Sequence, residues 1–232
     1  MRLLRRVSFL SFFPGGLVSI IGVLWCPLNA AQSAFSSVNG LILNREKNFV
    51  EIEATYHPTR FNRAMGLKNH HFMTWEKGSA SGKALFTTPI PDSIVHDALV
   101  EIGAIPGNNL TNETWAKRQD KNSPFPDLLV EGSPVVIEFI LDSGTVLTDD
   151  ILTDKSGKKF DFRFGGNRAL IPVWKSGCVV CLQSCPGSKI GNHTYSIRDL
   201  VRGNSVFSVK NAPSLKDGEK LKVRIYKLAE PQ

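Results

Sequence analysis

Cys178, Cys181 and Cys185 fall within eight residues, in the run Gly177-Cys-Val-Val-Cys-Leu-Gln-Ser-Cys-Pro-Gly187. The fourth cysteine, Cys26, lies in an apolar N-terminal segment with the features of a removable export signal. The mature chain would then carry three thiols, all in one place. Scattered core cysteines do not cluster in this way, and an odd number cannot all be paired within one chain. The residue type limits the chemistry to three kinds: soft thiolate ligation of a metal, thiol–disulfide exchange, or a covalent staple.

The spacing, C-x2-C-x3-C-P, bears on each kind. Its C-x3-C-P tail matches the end of the C-x2-C-x2-C-x3-C-P run that holds iron–sulfur clusters, but one cysteine is missing and the third ligand is displaced. Three thiolates could hold a three-iron cluster, or a four-iron cluster with a fourth ligand that is not cysteine. His193, eight residues after Cys185, is the nearest candidate for that ligand. Zinc is the alternative metal, with Cys178, Cys181, Cys185 and His193 as a Cys3His tetrahedron, although structural zinc sites usually draw ligands from two segments. C-x-x-C is also the redox pair of disulfide oxidoreductases, and Lys175 and Lys189 could favour a thiolate nearby. Against that, two valines separate the cysteines and no βαβ pattern surrounds them. In an oxidising compartment two of the three could instead form a structural disulfide, with no cofactor at all.

Elsewhere the chain offers little chemistry. The adjacent pair His70-His71 is a poor shared metal site, because neighbouring residues on a strand point to opposite faces. Gly165-Gly166-Asn167 reads as a tight turn, since no helix pattern and no Gly-Lys-Ser/Thr follow it. His96 reads as a solvated residue on the polar flank of a helix. No Ser/His/Asp arrangement, carboxylate pair or cofactor loop stands in the context its chemistry needs, so no catalytic residue is assigned. The net charge is +7, and removal of Arg2, Arg5 and Arg6 lowers it to +4. That mild excess is spread out without interleaved aromatics, which argues against nucleic acid as a partner.

The elements that must position the cysteines are mostly strands. Gly40–Leu43 and Val50–Ala54 flank a polar turn and read as a hairpin, the second strand alternating apolar residues with Glu51 and Glu53. His70–Trp75 and Ala84–Thr88, joined by a turn over 77–82, read as a second hairpin. Ile94, Val95, Ala98, Leu99 and Ile102 share one face of a helix, with Asp92 or Ser93 to cap it and Gly103 to end it. A polar stretch over 107–126 reads as a surface loop. Ser133–Leu141 and Leu221–Ile225 alternate as strands. Ser196-x-x-Asp199 is a capping box for a short helix that Gly203 closes. The pattern predicts a β-dominated α+β fold: a mainly antiparallel sheet, as a sandwich or irregular barrel, with one principal packed helix and one short helix.

Residues 1–31 combine a basic start, an apolar run from Val7 to Leu28 and small residues after it, which is the layout of a bacterial export signal. If uncleaved, this segment would be a membrane anchor and the chain's sole membrane contact. Residues 32–232 then form a single domain with a cysteine-rich loop at 177–192, located in the periplasm or cell envelope.

The stretch 177–192, with Tyr195 and Asp199 beyond it, resembles the YdjY-type family of ferredoxin-like exported proteins. The 40–54 hairpin, the Gly82-Lys-Ala-Leu-Phe-Thr-Thr strand, Ala98–Gly107 and Phe164–Asn167 agree in the same order. The resemblance implies export and, through the cysteine motif, an iron–sulfur label, but no enzymatic activity. The expectation is therefore an exported protein that holds an iron–sulfur cluster on Cys178, Cys181 and Cys185 and passes electrons to a redox partner protein. Its rival is a non-catalytic envelope binding or assembly module with a disulfide or zinc staple.

Overall fold

The computed structural model describes residues 35–38, 40–65, 69–120, 127–210 and 215–229. Residues 1–34, with Cys26 and the expected export signal, lie outside them. In chain order the strands are β1 (Phe35–Val38), β2 (Leu41–Asn44), β3 (Phe49–Tyr56), β4 (His71–Trp75), β5 (Phe86–Thr88), β6 (Pro134–Leu141), β7 (Gly144–Leu147), β8 (Leu152–Asp154), β9 (Phe162–Phe164), β10 (Cys178–Cys181), β11 (Ile190–Asn192), β12 (Phe207–Val209) and β13 (Lys220–Lys227). The helices are α1 (Pro58–Met65), α2 (Asp92–Glu101), α3 (Asn112–Ala116), α4 (Thr148–Ile151), α5 (Ile171–Trp174) and α6 (Ile197–Arg202). Among the described residues, no helix is long and apolar enough to cross a membrane.

The fold is the expected β-dominated α+β class, and of the two expected forms it takes the barrel. Strands run in the order β3-β13-β6-β9-β11-β10-β4-β5, and β5 pairs back to β3 to close eight strands. Two long strands make closure possible, because each splits one of its edges between two partners. The start of β3 pairs β2 and its end pairs β5. The start of β6 pairs β9 and its end pairs β7. Most neighbours are antiparallel; β10–β11 and β4–β5 are parallel. The interior is filled with aromatic rings: Phe72 meets Phe86 edge-on at 5.5 Å, and Phe86 stacks on Phe139 at 4.8 Å. Each fully buried phenylalanine contributes on the order of 2–3 kcal/mol.

The first hairpin, β2–β3, forms as expected, with Asn48 in the left-handed region at φ 53°. The second does not form. β4 and β5 are parallel neighbours, so residues 76–85 cross over between them instead of folding straight back. Several backbone bonds hold this crossing against the start of β10, including Trp75 N–H to Gly177 O at 2.7 Å and Ser79 N–H to Lys175 O at 3.0 Å. Local alternation cannot register such a long-range tie. On β3, Glu51 is buried at 5% exposure, although alternation places it toward water. Arg224 and Lys222, across on β13, bind it at 2.6 and 3.1 Å. Burial pushes the Glu51 carboxyl up, but those two cations outweigh it and hold the group below its usual range.

α2 starts one residue earlier than its expected caps: Pro91 is the capping position and Asp92 the first helical residue. Gly103, at φ 81°, ends it. His96 is not solvated. It is 5% exposed and lies against Phe164, 5.2 Å between ring centroids, because the end of β9 packs on the flank that periodicity marks as polar. The polar stretch 107–126 is not plain loop either. Its described part contains α3, started by a reciprocal capping box between Thr111 and Thr114. The Ser196–Asp199 capping box forms as expected, and Gly203 closes α6.

Candidate metal centre

The cysteine-rich segment is two strands joined by a buried connection rather than a free loop. β10 and β11 lie side by side, parallel, with Val180 opposite Ile190. Residues 182–189 therefore have to double back within the protein, and polar bonds hold them there. Ser184 N–H donates to Tyr195 O at 2.7 Å, Lys189 N–H to Cys178 O at 3.2 Å, and Val130 N–H to Ser184 Oγ at 2.9 Å.

Cys178 and Cys181 stand three apart, which on a regular strand would put them on opposite faces. β10 is irregular opposite β4: its register shifts between Cys178 and Val180 and again between Val180 and Cys181. A bulge of this kind re-aims side chains, and here it brings the Cys181 thiol near enough to Cys178 and Cys185 to interact with both. Cys185 returns to the same place from the connection. The three are 1%, 0% and 4% exposed. All three are free thiols, so the disulfide staple is not present. They form a small apolar cluster with Ile197 and Leu200 of α6, and Trp115 and Trp174 pack against it. Leu182, between Cys181 and Cys185 in sequence, belongs to the main hydrophobic cluster instead.

The side chain that joins the thiols is His70. Ligand atoms of His70, Cys181 and Cys185 lie within 4.8 Å of one another. The β4–β10 pairing brings His70 there: Cys181 stands opposite His71, and Leu182 N–H donates to His70 O at 2.9 Å. Asn69 fixes the start of β4 by accepting from the N–H groups of His70 and His71, at 2.9 and 3.2 Å. His70 Nδ1 is buried without a hydrogen-bond partner. His193 lies outside the group, and its Nδ1 is within 2.6 Å of Val130 O. Cys178 adjoins Cys181 but is not among the three mutually close ligands.

The electrostatics set the two converging thiols apart. Burial, reinforced by hydrogen bonds to Cys178 and Cys185, holds Cys181 well above the usual thiol range. The Cys181 hydrogen bond pulls Cys185 well below it, and His70 adds to that pull against the cost of burial. Burial also lowers His71, with His70 and Lys83 adding, to about 2, so its ring is neutral. Behind the thiols, Lys189 is fully buried and its Nζ has no hydrogen-bond partner. Burial depresses its pKa, while the charges of Asp92, Cys178 and Cys185 oppose that shift. Lys175 is exposed, in a left-handed conformation at the end of α5.

One side of the group opens on a cavity of about 280 Å³, whose walls include His70, Cys178, Cys185, Lys83, Trp115 and Trp174. The two indoles meet edge to face at 5.0 Å. Trp174 donates from Nε1 to Asn112 Oδ1 at 2.6 Å. Its ring lies so close to Gly187 that an added Cβ there would come within 2.5 Å of Cε3. Sequence reading missed both His70 and Trp115, since neither has a local mark connecting it to residues 178–185.

Among known proteins, the YdjY domain matches residues 41–226. An uncharacterized protein YdjY of Escherichia coli (strain K12) is 27% identical over 221 residues, which cover 92% of each chain. No solved structure matches.

Proposed function

We propose, from the premise that this chain belongs to the YdjY family, that it is an exported metal-binding protein whose centre is one thiophilic ion held by His70, Cys181 and Cys185. The observation that carries this reading is the convergence of two thiols and an imidazole within 4.8 Å, all buried. A tetrahedral ion with bonds of about 2.0–2.3 Å holds its ligands about 3.3–3.8 Å apart, so ligand atoms within 4.8 Å of one another would draw in by about 1 Å around a single ion. The unpartnered Nδ1 of His70 supports the same reading, since a buried imidazole nitrogen without a bond is costly unless something is bound there. Charge supports it as well. Two thiolates and a neutral imidazole around a divalent ion sum to zero, which a buried site favours. In an oxidising compartment a metal would also keep these thiols from pairing.

The second reading is an iron–sulfur cluster that exchanges electrons with a partner protein. The observation in its favour is Cys178, a third buried thiol beside Cys181 and on the cavity wall. A cluster spreads its terminal ligands over the corners of a cube, further apart than those of one ion, so Cys178 would serve a cluster better than a single metal.

Metal and sulfide analysis of protein purified under anaerobic conditions tests both readings. One zinc per chain in colourless protein is the expected result. Brown protein with several irons and acid-labile sulfide supports the cluster. Protein that neither retains nor takes up metal stoichiometrically overturns both.

A further inference from the structure

We propose that the metal centre keeps one coordination position open toward the Trp115–Trp174 cavity and that this position takes a small anionic thiol; the inference rests on the single-ion reading above. His70, Cys181 and Cys185 supply three corners of a tetrahedron, and two of them, His70 and Cys185, line the cavity while Cys181 does not. The fourth corner thus faces the cavity. Neither obvious side chain fills it. His193 Nδ1 is taken up by Val130 O at 2.6 Å, and Cys178 lies beside Cys181 without joining the mutually close set. Closed structural zinc sites have four protein ligands, whereas three protein ligands and an accessible fourth position mark sites that bind an external molecule.

The cavity selects the ligand's chemistry. At about 280 Å³ it falls at the small end of ligand pockets. Two indoles and Ala80 provide apolar walls, Lys83 provides a positive charge, and no carboxylate lines it. Lys83 makes none of the described ion pairs, so its ammonium is free to meet a carboxylate on the ligand. A sulfur donor suits a thiolate-rich centre. The ligand's S–H proton passes to the buffer as the sulfur coordinates, and nothing is oxidised or reduced.

The test uses the full chain loaded with cobalt(II), whose visible bands report coordination and whose thiolate charge-transfer band reports sulfur bonding. Mercaptoacetate is the probe, with neutral 2-mercaptoethanol as its comparison. Saturable changes in the visible bands, with an added increment of charge-transfer intensity, are expected with mercaptoacetate. Lys83→Met should weaken mercaptoacetate roughly two- to five-fold and leave 2-mercaptoethanol unchanged. Cys178→Ser should leave the spectrum of the ligand-free protein unaltered. Cobalt bound through thiolates, with bands that ignore both thiols and change on Cys178→Ser, would overturn the open position and make Cys178 the fourth ligand, leaving the metal centre intact. An equal response to both thiols, unaffected by Lys83→Met, would overturn the anionic class. Absence of thiolate charge transfer at any cobalt concentration would instead remove the metal centre on which the inference stands.

Discussion

His70 carries more of the candidate site than any residue outside the cysteine run, and this can be measured against His193. His70→Ala removes one of three converging donors and should lower zinc affinity by at least ten- to hundred-fold, read by competition with a chromogenic chelator. His193→Ala should leave zinc stoichiometry and affinity unchanged, because its Nδ1 serves the Val130 carbonyl. The reverse ranking would restore the spacing-based ligand set. The three cysteines were legible because their clustering is local and needs no knowledge of the fold. His70 was not, because two non-local facts bring it in: the pairing of β4 with β10 and the bulge in β10. The opposite-face rule for His70 and His71 spoke only against both binding one ion. It was silent on one of them joining thiols from another strand. His96 failed for a related reason, since a helical period shows which face is polar but not which strand packs on it.

At the scale of elements, the approach of the 76–85 crossing to the start of β10 fixes where the sulfurs point, and two glycines allow it. A Cβ on Gly78 would fall 2.3 Å from Ser176 O. One on Gly177, at φ 67°, would fall 2.7 Å from Gly78 Cα. Both clashes involve backbone and have no flexible atom to yield. Gly78→Ala should therefore cost about 2–3 kcal/mol, or roughly 4–12 °C in Tm for a chain of this size, and should weaken metal binding as well. Gly82→Ala is the control: its Cβ would meet nothing within 4 Å, and its melting curve should overlay the unsubstituted protein's. Equal melting of the two variants would show that the close approach does not hold the site. Strands with one covered face, such as β6 and β13, were legible from alternation, and α6 from its capping box. The crossing was not, because a parallel β4–β5 pair and a short antiparallel hairpin have the same strand–turn–strand pattern. α3 was hidden for a different reason. Five residues, Asn112–Ala116, are too few to show a helical period, and their value lies in the position they give Trp115.

For the whole molecule, two buried tyrosines tie segments far apart in sequence, and their ionisation should set the alkaline limit of the fold. Tyr56 ends β3 at the closure of the barrel, opposite Phe86 of β5. Tyr195 follows β11, donates its O–H to Asp154 of β8 and packs edge-on against Phe207 of β12 at 5.8 Å. Burial raises both phenols to about 12, with the Asp217 charge adding at Tyr56 and the Asp154 hydrogen bond adding at Tyr195. A raised acid pKa means that folding favours the neutral form. The stabilisation is thus complete below the ordinary phenol value near 10 and is lost as pH rises through about 12. Two units correspond to at most about 3 kcal/mol per tyrosine, a large part of the net stability of an ordinary domain. Phenolate absorbance followed with far-ultraviolet dichroism should show two of the three tyrosines ionising together with loss of the sheet signal, in one steep step close to pH 12. Tyr195→Phe should leave one tyrosine in that step, and because it frees Asp154 of a donor it should begin at lower pH. Gradual ionisation near pH 10 with the dichroism unchanged would mean that water already reaches both rings, and that neither the barrel seam nor the Tyr195 tie is closed as described.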